Sequence, residues 1–329
     1  MNISKILNSL PGLSVLVAGD ICLDRWCSYD PSLSEPSRET GIPRLAVVST
    51  ETTPGAAGVV ASNLAALGVG RVTVLGAVGM DGHAFELIEA LRRRGIDPSH
   101  LVREPRIPTF TYTKLINLKT GEEDQPRVDY VLARRPPAEA DSAVVTSFER
   151  LAPKADVIIV SDQAETDEGG VVTQALREAM TRVAVEHPGK TIWVDSRKRG
   201  EHYRRVLLKL NEQEAEECCQ RIGRPDYQSL RRLIEHGTLI VTRGEKGALV
   251  CTEEGMRNVP ARAVASPVDI CGAGDAFNAG ASVAFALTGD PELAVRMGNT
   301  VASVTIMKRG TGTASASEVL AAMAQTASG

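Results

Sequence analysis

The residues with the clearest chemical potential lie in one run, Val268-Asp269-Ile270-Cys271-Gly272-Ala273-Gly274-Asp275-Ala276-Phe277. Gly-Ala-Gly lets the backbone turn tightly and points successive N–H groups into one concavity. A helix expected from near Asp275 adds its partial positive N-terminus, so the turn suits a phosphate or charge developing on one. Asp275 has two readings there. It is either a first-turn carboxylate that caps the helix, or a base that takes the proton of a phosphate-accepting hydroxyl while the amides of Gly272, Ala273 and Gly274 steady the moving phosphoryl group.

Other phosphate and metal patterns fail. Gly189-Lys190-Thr191 looks like the tail of a P-loop, but Ala184 stands where the leading glycine belongs and a strand follows the segment instead of preceding it. Gly68-Val69-Gly70 lacks the third glycine of a dinucleotide fingerprint. This disfavours a nicotinamide oxidoreductase. The five histidines form no metal spacing, and the six cysteines show no C-x-x-C pair, as expected for reduced, structural thiols in a cytoplasm.

The elements that must position the glycine turn follow from short apolar runs. Val15–Ala18, Val72–Leu75, Val157–Val160, Ile192–Val194 and Leu239–Val241 are continuous and β-rich, the pattern of strands buried on both faces. Helical stretches alternate with them: Ala57–Leu67, Ala84–Arg94, Gly170–Val185, Glu214–Ile222 and Tyr227–Glu235, then Asp275–Leu287, Pro291–Lys308 and Ala316–Ala324. The alternation predicts a doubly wound α/β fold around a mostly parallel sheet. Residues 25–53 and 106–132 break it, the second as two extended pieces around Lys119–Pro126. Together they predict a small β appendage. Ligands of such sheets bind outside the carboxyl ends of the strands, where Gly19-Asp20, Ser161-Asp162, Asp195 and Thr242-Arg243-Gly244 fall. Asp162 and Asp195 read equally as solvated turn residues or as groups orienting metal or water.

Composition removes several classes. A net charge of −4 lacks the basic footprint of a nucleic-acid binder. The uncharged stretch from Thr52 to Gly70 is long enough to span a bilayer but holds Pro54, four glycines, Ser62 and Asn63, so no membrane span is expected. The N-terminus has no apolar core of a signal peptide.

These motifs, in this order, resemble the PfkB, ribokinase-like carbohydrate kinases over nearly the whole chain. Val268 to Asp275 resembles the family's C-terminal signature, which implies Asp275 as base and Gly272, Ala273 and Gly274 as anion hole. Asn211-Glu212-Gln213-Glu214 is similar to its N-x-x-E motif, implying that Asn211 and Glu214 meet Mg²⁺ through water. Thr242, Gly244, Gly247 and Asn299 would flank ATP. Gly19-Asp20-Ile21-Cys22-Leu23-Asp24 and Pro54-Gly55-Ala56-Ala57 resemble the acceptor motifs, implying Asp24, Asp20, Gly55 and Ala56 as substrate residues. The resemblance implies one ribokinase-like domain over 1–329, with 25–53 and 106–132 as a lid. It also implies a homodimer, Mg²⁺ with ATP, and a monovalent cation such as K⁺ near Asp269 and Gly310-Thr311-Gly312.

Within the family, Leu23-Asp24-Arg25, Pro54-Gly55 and Asp195-Ser196-Arg197 are most similar to heptose-phosphate kinases. Four positions depart from the family pattern: Ala56 for glycine, Val59 for asparagine, Cys271 for threonine and Ser196 for proline. The acceptor end is therefore less defined than the phosphate end. A sugar or sugar-phosphate hydroxyl is the expected acceptor, with a nucleoside or fructose-phosphate kinase, or a sensor that keeps only the fold, as alternatives. If the acceptor carries a phosphate, Arg38, Arg44, Arg106, Arg127 and Arg197 are candidates to hold it. Arg243 and Lys246 are weaker candidates near the nucleotide.

Overall fold

The computed structural model describes residues 1–326 of the chain. The five apolar runs become Ser14–Gly19, Arg71–Val78, Val157–Asp162, Thr191–Ser196 and Thr238–Thr242. Each is continuously apolar because alternate residues serve two different cores. Val15, Val17, Val157 and Ile159 enter one cluster; Leu16, Ala18, Ile158 and Val160 enter the other.

These strands belong to a nine-stranded sheet in the order Gly255–Val259, Ala248–Thr252, Thr238–Thr242, Leu207–Asn211, Thr191–Ser196, Val157–Asp162, Ser14–Gly19, Arg71–Val78, Asp97–Arg103. Seven neighbouring strands, from Thr238–Thr242 to Asp97–Arg103, pair in parallel, and the other two add antiparallel. The doubly wound, mostly parallel α/β class expected from the sequence is the class observed. Leu207–Asn211 carries no uninterrupted apolar run because Lys209 stands in it, and Asp97–Arg103 is a polar strand at the sheet edge.

The expected helical stretches are helical, with ends moved by capping. Thr173 accepts from the Leu176 amide, so that helix is Gln174–Glu186 and does not include Gly170. The last long helices are Ala273–Thr288 and Pro291–Thr305, and their contact with each other is the most extensive between any two elements. Two helices are additional, Ile3–Ser9 and Ala138–Leu151. In the second, Ala140, Val144 and Phe148 recur every fourth residue and are the buried ones.

A separate four-stranded sheet has the order Val47–Ala56, Ile21–Tyr29, Thr111–Asn117, Val128–Tyr130. It draws on both segments that break the alternation, and reaches back to Ile21 and forward to Ala56. The central pair is parallel, with Asp24 opposite Tyr112, and Val47–Ala56 pairs antiparallel with Asp24 opposite Thr53. Leu45, Val47 and Val48 are all exposed, and Val47 and Val48 lie at the start of the edge strand. Among the described residues no helix is long and apolar enough to cross a membrane.

Candidate active site

Chain geometry brings the glycine turn to the open face between the two sheets. Gly272 takes the left-handed conformation at φ 74° and precedes the first turn of Ala273–Thr288, so Asp275 is the third residue of that helix. Asp275 opens into a cavity of about 400 Å³ together with Asp24, Ala56, Val59, Gly272 and Thr311. Trp26, Tyr112 and Lys114 of the small sheet and Arg127 just before its last strand form another part of its wall, with Glu165 and Arg197 from beyond the strand ends. Thr53 and Thr311 share a hydrogen bond of 3.1 Å, tying the small sheet to the turn after Pro291–Thr305.

Two carboxyls in this cavity are poised near neutrality. Burial, with the Asp195 carboxylate adding to it, pushes Asp275 up to about 8, against the opposing charge of Lys209. Burial likewise lifts Asp24 to about 7, against Lys114 and Arg127. Such values suit groups that exchange protons near neutral pH. Gly55 makes room for Asp24: a Cβ at that glycine would stand 2.4 Å from the Asp24 Oδ1.

Beneath the glycine turn lies a cation that sequence reasoning missed. Lys209 is buried, and its Nζ donates to both Asp195 oxygens at 3.2 Å. Asn278 Nδ2 donates to Asp195 Oδ2 at 2.6 Å, and Trp193 Nε1 donates to Asn278 Oδ1 at 3.0 Å. Burial works against the lysine's charge, but Asp195, Glu214 and Asp275 together raise its pKa above the ordinary value. A Cβ at Gly274 would stand 3.3 Å from Nζ, a tight contact, so the glycine leaves room for the ammonium close to the turn. The signal was the charged residue inside an otherwise apolar run, two residues before Asn211.

The other end of the cavity is cationic and hydrogen-bonded. Tyr112 Oη donates to Glu165 Oε1 at 2.7 Å, and Arg197 pairs with the same carboxylate. Arg127 lies 4.9 Å above the Tyr112 ring and pairs with Asp129. Lys114 is 3.5 Å from Glu123, a loose pair. The segment bearing Gln163 and Glu165 is anchored from below. Asp162 accepts from Ser196, Arg199 and Tyr203, and Arg199 donates to the Gly169 carbonyl at 3.0 Å.

Several expected site residues are placed elsewhere. Asp20 is 1% exposed and accepts from the Val171 amide at 2.6 Å and the Gln163 amide at 2.8 Å, so it fixes that same segment and does not face the acceptor cavity. The Ala273 amide donates to Ile270 at 3.2 Å within the turn, which leaves Gly274 as its exposed member. Arg44 pairs with Glu35, Arg106 pairs with Glu104 and Glu139, and Arg38 is exposed; none lines the cavity, unlike Arg127 and Arg197.

On the nucleotide side, Asn211 and Thr242 are register partners at the ends of adjacent strands. Asn211 and Glu214 form a capping box: Asn211 Oδ1 accepts from the Glu214 amide at 2.8 Å, and Glu214 Oε2 accepts from the Asn211 amide at 2.6 Å. Gly244 and Gly247, both at positive φ, shape the turn after Thr242. Asn299 Nδ2 donates to the Pro260 carbonyl at 3.1 Å, close beyond the edge strand. Arg243 donates to Asn258, and Lys246 is 3.6 Å from Glu212.

Asp269 accepts from the Cys271 amide at 2.9 Å and from the Gly310 amide at 3.0 Å. Among the described residues, no group of three or more His, Cys, Asp or Glu is placed to hold a metal. Both Asp269 oxygens are thus engaged by backbone amides.

A family model for the pfkB family of carbohydrate kinases matches residues 21–318. The chain belongs to that family. It is 31% identical over 321 residues to the bifunctional protein HldE of Azorhizobium caulinodans, covering 95% of this chain and 65% of that protein. HldE of Shewanella loihica is 30% identical, with 96% and 65% covered, so the chain spans just under two thirds of these relatives. The fold matches ribokinase from Thermotoga maritima with a TM-score of 0.68 at 19% identity, covering 95% of this chain and 99% of that one. It also matches Arabidopsis thaliana ribokinase complexed with ribose and ATP, at a TM-score of 0.67 and 17% identity, covering 94% and 98%. This family member is a carbohydrate kinase.

Its departure at Ala56 has a structural consequence. Ala56 sits at φ 48° and ψ −120°, a region that suits glycine and strains an L side chain. Ala56→Gly should stabilise the fold by about 1 kcal/mol, strain relief outweighing the added unfolded-state entropy. The urea midpoint measures it. A lower midpoint in the variant would mean that the alanine is not strained.

Proposed function

We propose that this kinase transfers the γ-phosphoryl group of Mg²⁺-ATP to a hydroxyl of a phosphorylated sugar, with a heptose phosphate as the favoured acceptor. The observation that carries this reading is the placement of Asp275 on the wall shared by the glycine turn and a cavity whose far end is lined by Lys114, Arg127 and Arg197. The acceptor hydroxyl lies between Asp24, which holds it, and Asp275, which takes its proton. The Gly274 amide and the Lys209 ammonium meet the charge on the phosphoryl group as it moves. Magnesium arrives with the nucleotide; Asn211 and Glu214 face it through water, and Thr242, Gly244, Gly247 and Asn299 flank the nucleotide. Resemblance to the HldE relatives, at 30–31% identity, supports the choice of sugar phosphate.

A cytoplasmic setting fits six free thiols. A homodimer through the lid would cover the exposed edge of Val47–Ala56; sedimentation as a monomer at micromolar concentration contradicts it. The K⁺ implied by resemblance would rest on Asp269, whose bonds to Cys271 and Gly310 give it no independent support.

The test of acceptor class compares kcat/KM for sugars with and without a phosphate. Phosphorylated acceptors should be preferred, and Lys114→Met with Arg127→Gln should raise their KM at least about tenfold while changing that of the unphosphorylated sugar much less. Equal loss for both acceptors would remove the phosphate from the proposal.

A further inference from the structure

A second cationic depression lies outside the acceptor cavity. It has a volume of about 460 Å³ and is lined by Gln174, Arg177, Glu178, Thr181, His202 and Arg204. That is within the roughly 300–1,000 Å³ of small-molecule sites. The wall comes from two elements, the first turns of Gln174–Glu186 and the single turn Gly200–His202 with the residues after it.

Both arginines are half-buried, and among the described residues their side chains donate to main-chain carbonyls only. Arg177 Nη1 donates to Val172 at 2.9 Å, and Arg204 Nη1 donates to Glu201 at 2.7 Å and to Tyr203 at 2.9 Å. Most other arginines that line cavities in this chain pair with a carboxylate: Arg25 with Glu86, Arg127 with Asp129, Arg197 with Glu165, Arg231 with Glu253 and Arg257 with Glu292. Of the nearby acids, Glu178 lines the depression and accepts from Gln174 Nε2 at 2.9 Å, while Glu201 pairs with Arg221 at 2.6 Å. Burial lowers the His202 pKa; Glu201 opposes the shift, and Arg177, Arg204 and Arg221 add to it. A guanidinium held this way keeps free N–H donors in a planar fork that matches phosphate oxygens.

We propose that this depression is a second anion site, taking a phosphate monoester between Arg177 and Arg204. It stands independently of the kinase reading, because neither arginine lines the acceptor cavity.

Isothermal titration of the full chain with inorganic phosphate and with glucose 6-phosphate tests it. A Lys114→Met/Arg197→Gln background weakens binding in the acceptor cavity. In that background binding should persist, and Arg177→Gln/Arg204→Gln should weaken one binding event per chain at least about tenfold, leaving any binding at the glycine turn unchanged. Arg204→Gln alone loses bonds only to carbonyls of its own turn, and serves if the double variant does not fold. Tighter binding of glucose 6-phosphate than of phosphate assigns the site to phosphorylated sugars; equal binding assigns it to free phosphate. No binding in that background, or binding in which the arginine substitutions weaken no event, overturns the proposal.

Discussion

Asp275→Asn should lower turnover by roughly 10²–10⁴ while ATP affinity stays nearly unchanged. Asparagine keeps the shape of the side chain at the third position of its helix but cannot take a proton. The loss should therefore appear in kcat and not in the nucleotide KM. The pH dependence follows from the raised carboxyl. With its pKa pushed up to about 8, the wild-type base is mostly protonated at pH 6, so kcat/KM should climb with pH and level off above about 8. The variant should show no such climb. Stability moves the other way. The folded protein holds the Asp275 proton between the ordinary carboxylate range and about 8, where the unfolded chain has released it, so this group's contribution falls as pH rises through that window. Asp275→Asn should accordingly melt higher than wild type at pH 8.5, by a margin that shrinks toward pH 4. A variant that loses activity and also melts lower at pH 8.5 would point to a structural role.

Lys209→Met should be the next largest effect, lowering turnover by roughly 10²–10³, the loss expected from removing one donor to developing charge. Methionine keeps the length of the side chain. Asp195 would be left buried with Asn278 as a remaining donor, and breaking such a pair costs about 3–5 kcal/mol, so assays belong well below the melting temperature. Asp195→Asn/Lys209→Met removes both charges and restores most of that stability. A purely structural lysine would regain activity in the double variant; a lysine that meets the phosphoryl group would not. The pH profile separates the two readings again. Lys209 lowers the Asp275 pKa, so its loss alone should move the rise in kcat/KM to higher pH.

Much of the fold was legible because parallel strands buried on both faces declare themselves as apolar runs, as Val157–Val160 does. Leu207–Asn211 was not, because its middle residue interrupts the run: Lys209 is charged, buried and paired with Asp195 of the neighbouring strand. The small sheet was visible only as two irregular segments. Its central pairing joins Asp24 to Tyr112, a contact no local pattern encodes.

The candidate site divides similarly. Asp24, Ala56, Gly272 and Asp275 do converge on one cavity. Asp20 shares the first-strand motif with Asp24, yet the strand end turns its carboxylate inward onto two amides. Asn211 and Glu214 satisfy each other as a helix cap, a role that their spacing permits as readily as contact with a nucleotide. Tyr112, Glu165 and Lys114 have no motif and enter only through tertiary placement.

The most direct measurement is ADP release from Mg²⁺-ATP with a panel of sugars, sugar phosphates and nucleosides, run on the wild type and on Asp275→Asn together. Turnover that depends on a phosphorylated sugar and drops at least about 10²-fold in the variant is the expected result. Equal turnover in both proteins would contradict the assignment of Asp275 as the base. Tight ATP binding without turnover on any acceptor would contradict phosphoryl transfer to a sugar.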